Sequence, residues 1–131
     1  ARGLTPRSQI MFGPAGQAYV YLCYGNHCLL NVVTEKDRRA GAVLIRALKP
    51  IRGLKWMLEN RGKPTAEGLL DGPGKLTQAL QIDLSLNGWD LTRSQRLYIT
   101  EGVAIPPDRI NYGPRVGIKK GTDKLWRFRI P

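Results

Sequence analysis

The chain has 131 residues, enough for one hydrophobic core and too few for two comfortable ones. Lys and Arg number 21 against 10 acidic residues, a formal net charge of +11 that favours DNA, RNA or an anionic membrane surface as partner. No apolar run reaches the roughly 18 residues of a membrane span, no signal-peptide pattern is present and two cysteines make no disulfide scaffold, so a soluble intracellular protein is expected.

Residues 1–18 are rich in Arg, Gly and Pro and show little periodicity through Met11-Phe12-Gly13-Pro14-Ala15-Gly16. An irregular arm is expected there, ordered only by contacts from outside it. Three tyrosines then alternate with aliphatic residues in Tyr19-Val20-Tyr21-Leu22-Cys23-Tyr24, a Gly25-Asn26 pair follows, and a second apolar run passes through Asn31. This predicts a β-hairpin with strands over 19–24 and 28–34. Glu35-Lys36-Asp37-Arg38-Arg39 reads as a solvated charged turn, and residues 42–48 as a third strand closed by Pro50. Leu54, Met57 and Leu58 at helical spacing predict a short helix over 53–60. Leu76, Ala79 and Leu80 repeat that pattern behind Gly72-Pro73-Gly74-Lys75. Residues 95–100 and 126–130 read as later strands, with a strand-like stretch at 115–118 between them.

Arginines spread along the whole chain suit bidentate phosphate binding, although a plain basic, solvated surface accounts for them too. On a strand, Tyr19 and Tyr21 share a face, whereas Tyr24 has the opposite parity and sits just before the turn. A ring at a hairpin tip can wedge between base pairs while another stacks on an extruded base; the bland alternative is cross-strand packing. Asn31 and Arg46 are polar residues in apolar runs and need partners. They could line a pocket in which Asn31 reads a base edge and Arg46 binds a phosphate or orients water, or they could bond internally to backbone. Lys75 at a Pro-started helix could hold a phosphate, but the spacing is not that of a Walker loop and a simple helix start also explains it. Cys23, His27 and Cys28 are too few to complete a zinc site, so core cysteines are expected. None of the ten acidic residues forms an acid–base pair that spacing alone identifies.

The order of Thr5-Pro6-Arg7, Met11-Phe12, Tyr19-Val20-Tyr21, Tyr24-Gly25, Asn31-Val32, Leu44-Ile45-Arg46-Ala47-Leu48, Gly72-Pro73-Gly74-Lys75-Leu76-Thr77-Gln78-Ala79-Leu80, Arg115-Val116-Gly117 and Arg127-Phe128 resembles that of the alkyladenine (3-methyladenine) DNA glycosylase family, in a bacterial-type form. The resemblance spans nearly the whole chain. It implies an α+β fold: a single mixed domain with an antiparallel, partly open, barrel-like β core, a protruding hairpin and a few short helices. It also implies base-excision repair, in which the hairpin enters the minor groove, an alkylated or deaminated purine is flipped out and its N-glycosidic bond is hydrolysed.

By position, Tyr24 resembles the residue that fills the gap left by the flipped nucleotide, and Tyr21 the ring that stacks on the base. Asn31 matches the asparagine that penalises the amino group of guanine, Arg46 the arginine beside the attacking water, and the Val116 carbonyl a further contact to that water. Lys75, Arg7 and Arg115 match DNA-binding positions. In the family the glutamate that activates water lies upstream of the segment that residues 1–7 resemble. The resemblance therefore implies a partial glycosylase domain over 1–131 that lacks its general base and is inactive alone. Double-stranded DNA containing damaged purines is the implied partner of a monomer with no metal, no cofactor and no membrane, in the bacterial cytoplasm at the nucleoid. Two competing readings are a non-catalytic basic nucleic-acid-binding β module that stacks bases on its tyrosines, and a basic protein-interaction domain in which Tyr24 and Asn31 are replaceable.

Overall fold

The computed structural model describes residues 4–23, 25–36 and 38–131, and divides into two compact units, Ala1–Ile99 and Thr100–Pro131. In the first unit the hairpin forms as its alternation predicts. Strand β1 (Ala18–Cys23) pairs antiparallel with β2 (His27–Val33), with Val20 opposite Leu30 and Cys23 opposite His27. The turn between them carries Gly25 at φ 82° and Asn26 at φ 61°, the left-handed conformation that glycine and asparagine adopt most readily. β3 (Ala42–Leu44) pairs on the far side of β2, giving the order β1-β2-β3. It is shorter than the apolar run 42–48. After one further bond, from Ile45 N to Leu30 O, the chain leaves the sheet and Leu48 N donates to Leu70 O instead.

Because successive side chains alternate across a strand, the sheet has two different faces. Ala18, Val20 and Leu30 point one way, into a core with Ile82, Leu86 and Leu91. A second cluster, Met57, Leu69, Leu70, Leu76 and Ala79, joins helices α1 (Leu54–Arg61) and α2 (Pro73–Ala79), and Ile45 and Leu80 touch both clusters. Pro73 in the first turn of α2 costs nothing there, since that N–H has no intrahelical partner. Leu76 is fully buried, worth about 1.5–3 kcal/mol of burial for a side chain of that size.

The outer edge of β1 is closed by the 87–89 segment. Gly88 N donates to Ala18 O, Ala18 N donates to Trp89 O, and Val20 N donates to the side-chain Oδ1 of Asn87 at 2.9 Å. Those bonds satisfy backbone groups that an edge strand would otherwise present to solvent or to other chains.

Three expectations are corrected. The arm is ordered in part by itself, through the Thr5–Ser8 turn and a short 3-10 helix at Gln9–Phe12, in addition to a contact from outside it, Gly41 N to Met11 O. Residues 95–100 form no strand. The Leu97 carbonyl is taken by the indole of Trp89 and Ile99 N by Leu91 O, so the segment packs as a loop. Residues 115–118 also form none, because Gly117 turns the chain with φ 74°.

In the second unit β4 (Asn111–Gly113) pairs antiparallel with β5 (Arg127–Arg129), the latter inside the predicted 126–130 run. Tyr112 lies opposite Phe128, with their rings 5.2 Å apart in an edge-to-face arrangement. The fold class is α+β, with antiparallel sheets and two short α-helices; among the described residues neither sheet closes into a barrel.

Candidate functional site

The face of the hairpin opposite the core carries the candidate site. Tyr19 and Tyr21 project from it two residues apart on β1, and Asn31 sits directly across from Tyr19 on β2. The two tyrosine rings lie 5.0 Å apart at 39°. Tyr19 and Asn31 are buried, at 7% and 6% exposure, while Tyr21 remains half-buried with part of its ring accessible. Asn31 Nδ2 donates to Tyr19 O at 3.1 Å, which meets the internal-bond reading of this residue for one of its two amide hydrogens.

Arg7 completes the group from the arm. Thr5 N donates to Ser8 Oγ at 2.8 Å, Ser8 N donates back to Thr5 Oγ1 at 3.1 Å, and Pro6 occupies the second turn position, where its fixed φ is favourable. The turn so closed holds Arg7 with its guanidinium 4.3 Å from the Tyr21 ring centroid, a cation–π contact. An open depression lined by Pro6, Arg7, Tyr19, Tyr21, Leu84 and Asn87 lies beside this contact.

The electrostatics follow from that company. Burial pushes the Tyr21 hydroxyl above its ordinary range, the neighbouring Tyr19 adds to the rise, and Arg7 and, more weakly, Arg46 oppose it. Tyr21 is therefore a neutral ring at physiological pH, and among the described residues the guanidinium groups of Arg7 and Arg46 act on it. Arg46 is half-buried just beyond β3 and takes part in no ion pair among the described residues.

The remaining predicted residues lie elsewhere. Lys75 is in the first turn of α2, with its ammonium 2.5 Å from the Asp71 carboxylate, an exposed pair that holds the Asp71 carboxyl below its usual range. Arg115 and Val116 belong to the second unit. There the Arg115 guanidinium lies 5.2 Å from the Trp126 ring centroid and donates to the carbonyls of Lys120 and Gly121, and Val116 is on the bend before Gly117. Tyr24 lies outside the described residues. Cys23 is exposed and Cys28 half-buried, and among the described residues no three His, Cys, Asp or Glu side chains cluster so as to hold a metal. No helix among the described residues is long and apolar enough to cross a membrane.

Two contributors escape a sequence reading. Asn87 lines the depression and anchors β1, and its only signal is the Asn87-Gly88 turn pair. Thr77 donates from α2 to Cys28 O at 2.6 Å, tying the helix to the root of the hairpin tip. Gly74 allows the close approach, since a Cβ there would stand 3.0 Å from His27 Cβ.

A basic α+β chain that presents two adjacent tyrosines and a buried asparagine on one hairpin face, with Arg7 from the arm against Tyr21, has groups of the kind that bind a nucleobase next to phosphates. The family model described as methylpurine-DNA glycosylase (MPG) matches residues 1–131, and the chain belongs to that family. A protein of Prosthecochloris aestuarii named "Putative 3-methyladenine DNA glycosylase" is 50% identical over 130 residues, which cover 99% of this chain and 62% of the relative. Proteins of the same name are 47% identical in Chlorobaculum tepidum, over 96% of this chain and 60% of the relative, and 50% identical in Carboxydothermus hydrogenoformans, over 98% and 68%. The chain thus spans somewhat under two thirds of the length of the first two relatives.

Proposed function

We propose that this chain supplies the base-binding face of a monofunctional purine-DNA glycosylase acting as a monomer on duplex DNA. The carrying observation is the cluster of Tyr19, Tyr21 and Asn31 on one hairpin face, flanked by Arg7 and Arg46. A flipped purine stacks on Tyr21, Asn31 faces its edge and discriminates against the amino group of guanine, and Tyr24 fills the vacated place in the duplex. Arg7, Arg115 and Lys75 hold the backbone, Lys75 after releasing Asp71.

In the reaction a water oxygen bonds to the sugar carbon C1′ while the N-glycosidic bond breaks and its electron pair leaves with the base. An alkylated purine that already carries positive charge departs neutral, whereas a neutral lesion must be protonated as it leaves. Arg46 is the proposed contact to that water. Its proton needs an acceptor, and by resemblance none of the chain's ten acidic residues takes that role. The chain on its own is therefore proposed to bind lesions without releasing base, since loss of a general base commonly costs about two to four orders of magnitude.

The test is a duplex containing ethenoadenine or hypoxanthine, with binding and base release measured for this chain beside the full-length Prosthecochloris aestuarii relative. The expected result is release by the relative and lesion-selective binding without release by the chain, with selectivity lost in Tyr24→Ala. Binding that ignores the lesion would overturn the proposal in favour of a non-catalytic nucleic-acid-binding module. Base release by the chain would overturn the inactivity alone. In either case duplex affinity should fall with salt by about 0.9 log unit per log unit for each phosphate neutralised.

A further inference from the structure

One face of the Tyr21 ring, the ring on which the proposed function stacks a base, is already occupied. A guanidinium is a planar, delocalised cation, the same description that fits a purine alkylated on a ring nitrogen, and Arg7 places one 4.3 Å from the Tyr21 centroid. Arg7 is not there because an acid draws it in. Among the described residues it has no ion pair, and its position is fixed by the Thr5–Ser8 turn from which it projects. The turn is exposed and the depression beside it is open, so the side chain can leave without disturbing the core.

We propose that Arg7 is an internal ligand of Tyr21, covering the base-binding ring in the free protein and leaving it for a DNA phosphate when the duplex docks. This rests on the glycosylase reading of Tyr21 and adds a specificity step to it. A bidentate guanidinium–phosphate pair is stronger than an exposed cation–π contact, so a phosphate within reach of the turn wins Arg7 from the ring. Free nucleosides and loose cationic bases bring no such phosphate and must compete with Arg7 for the ring. Duplex contact and pocket opening are thereby coupled, and linkage requires the coupling to be reciprocal.

The experiment follows binding of 7-methylguanosine, a fixed cation, by NMR in the 131-residue chain and in Arg7→Ala, with and without a short undamaged duplex. In the wild-type protein the Arg7 side-chain protons should carry an upfield ring-current shift that the duplex relieves, and the duplex should tighten nucleoside binding by about two- to fivefold, the factor an exposed cation–π contact sets. Arg7→Ala should bind the nucleoside tighter by the same factor, about two- to fivefold, with no further gain from duplex. Its duplex affinity should have a salt slope smaller by about 0.9, one phosphate contact fewer. Nucleoside binding that disappears in Tyr21→Ala but is unchanged or weakened in Arg7→Ala would overturn the role of Arg7 and leave the pocket standing. Absence of nucleoside binding in every form would overturn the pocket and this inference with it.

Discussion

Thr77→Val should loosen the hairpin more than its small chemical change suggests. Ile45 N donates to Leu30 O on the β3 side of β2, and Cys28 O, two residues earlier, points to the same edge. β3 does not extend that far: its last partner on β2 is Asn31. Thr77 Oγ1, only 2% exposed as a residue, donates to that carbonyl at 2.6 Å and so replaces the missing strand. Valine keeps the shape and removes the donor, leaving a partly buried carbonyl unsatisfied at a cost of about 1–3 kcal/mol. The denaturation midpoint should fall by roughly 4–8 °C for each kcal/mol lost in a domain of this size. Thr77→Ser keeps the donor and loses one methyl, about 0.8 kcal/mol. Hydrogen exchange separates the two: amides of β2 near His27–Leu30 should exchange faster in Thr77→Val and not in Thr77→Ser. If Thr77→Val melts no lower than Thr77→Ser and leaves exchange at the hairpin unchanged, water satisfies Cys28 O and the reasoning fails.

Further outcomes test other parts of the structure. Asn87→Ala removes the acceptor for Val20 N and should cost about 1 kcal/mol, whereas Asn87→Asp keeps an acceptor oxygen and should restore most of it; equal losses in urea denaturation would refute that role. The Asp83 and Asp90 carboxyls are held below their ordinary range, first by the hydroxyls and then by the backbone N–H groups of Ser85 and Thr92 respectively. A carboxyl whose folded pKa is depressed contributes stability above the unfolded value, about 3.9, and loses it as pH falls through the lower folded value. Melting temperature should therefore drop below about pH 4, and Asp83→Asn with Asp90→Asn should flatten that drop. Cys23 should react with iodoacetamide before Cys28, whose thiol is half-buried and pushed up by burial with help from Asp83; mass spectrometry of the singly alkylated species reads the order.

The hairpin was readable because Gly25-Asn26 names its own turn and period-two alternation assigns Tyr19 and Tyr21 to one face, whereas Asn31 joins them only through the pairing register. The start of α2 was readable for the same local reason, Gly72-Pro73. Where the sequence misled, long-range pairing decided. Residues 95–100 have strand-like composition but no neighbouring edge to join, and the three-residue β4 is too short to announce itself yet finds β5. The resemblance points to Arg7 only as an expected DNA contact, and its place over Tyr21 depends on a turn fourteen residues before that ring. The Lys75–Asp71 pair did have a local signal, the four-residue spacing of opposite charges across the start of α2.

The contact between Gly74 and His27 has a mechanical meaning. An isolated two-stranded ribbon pressed at its tip bends, because only the turn and a few rungs resist. Here the rung next to the turn rests on the first turn of α2, and behind that turn stand Leu76 and Ala79, both with no measurable exposure. A load on the tip is thus carried through the helix into the packed interior, much as a cantilever is stiffened by a bracket at its root.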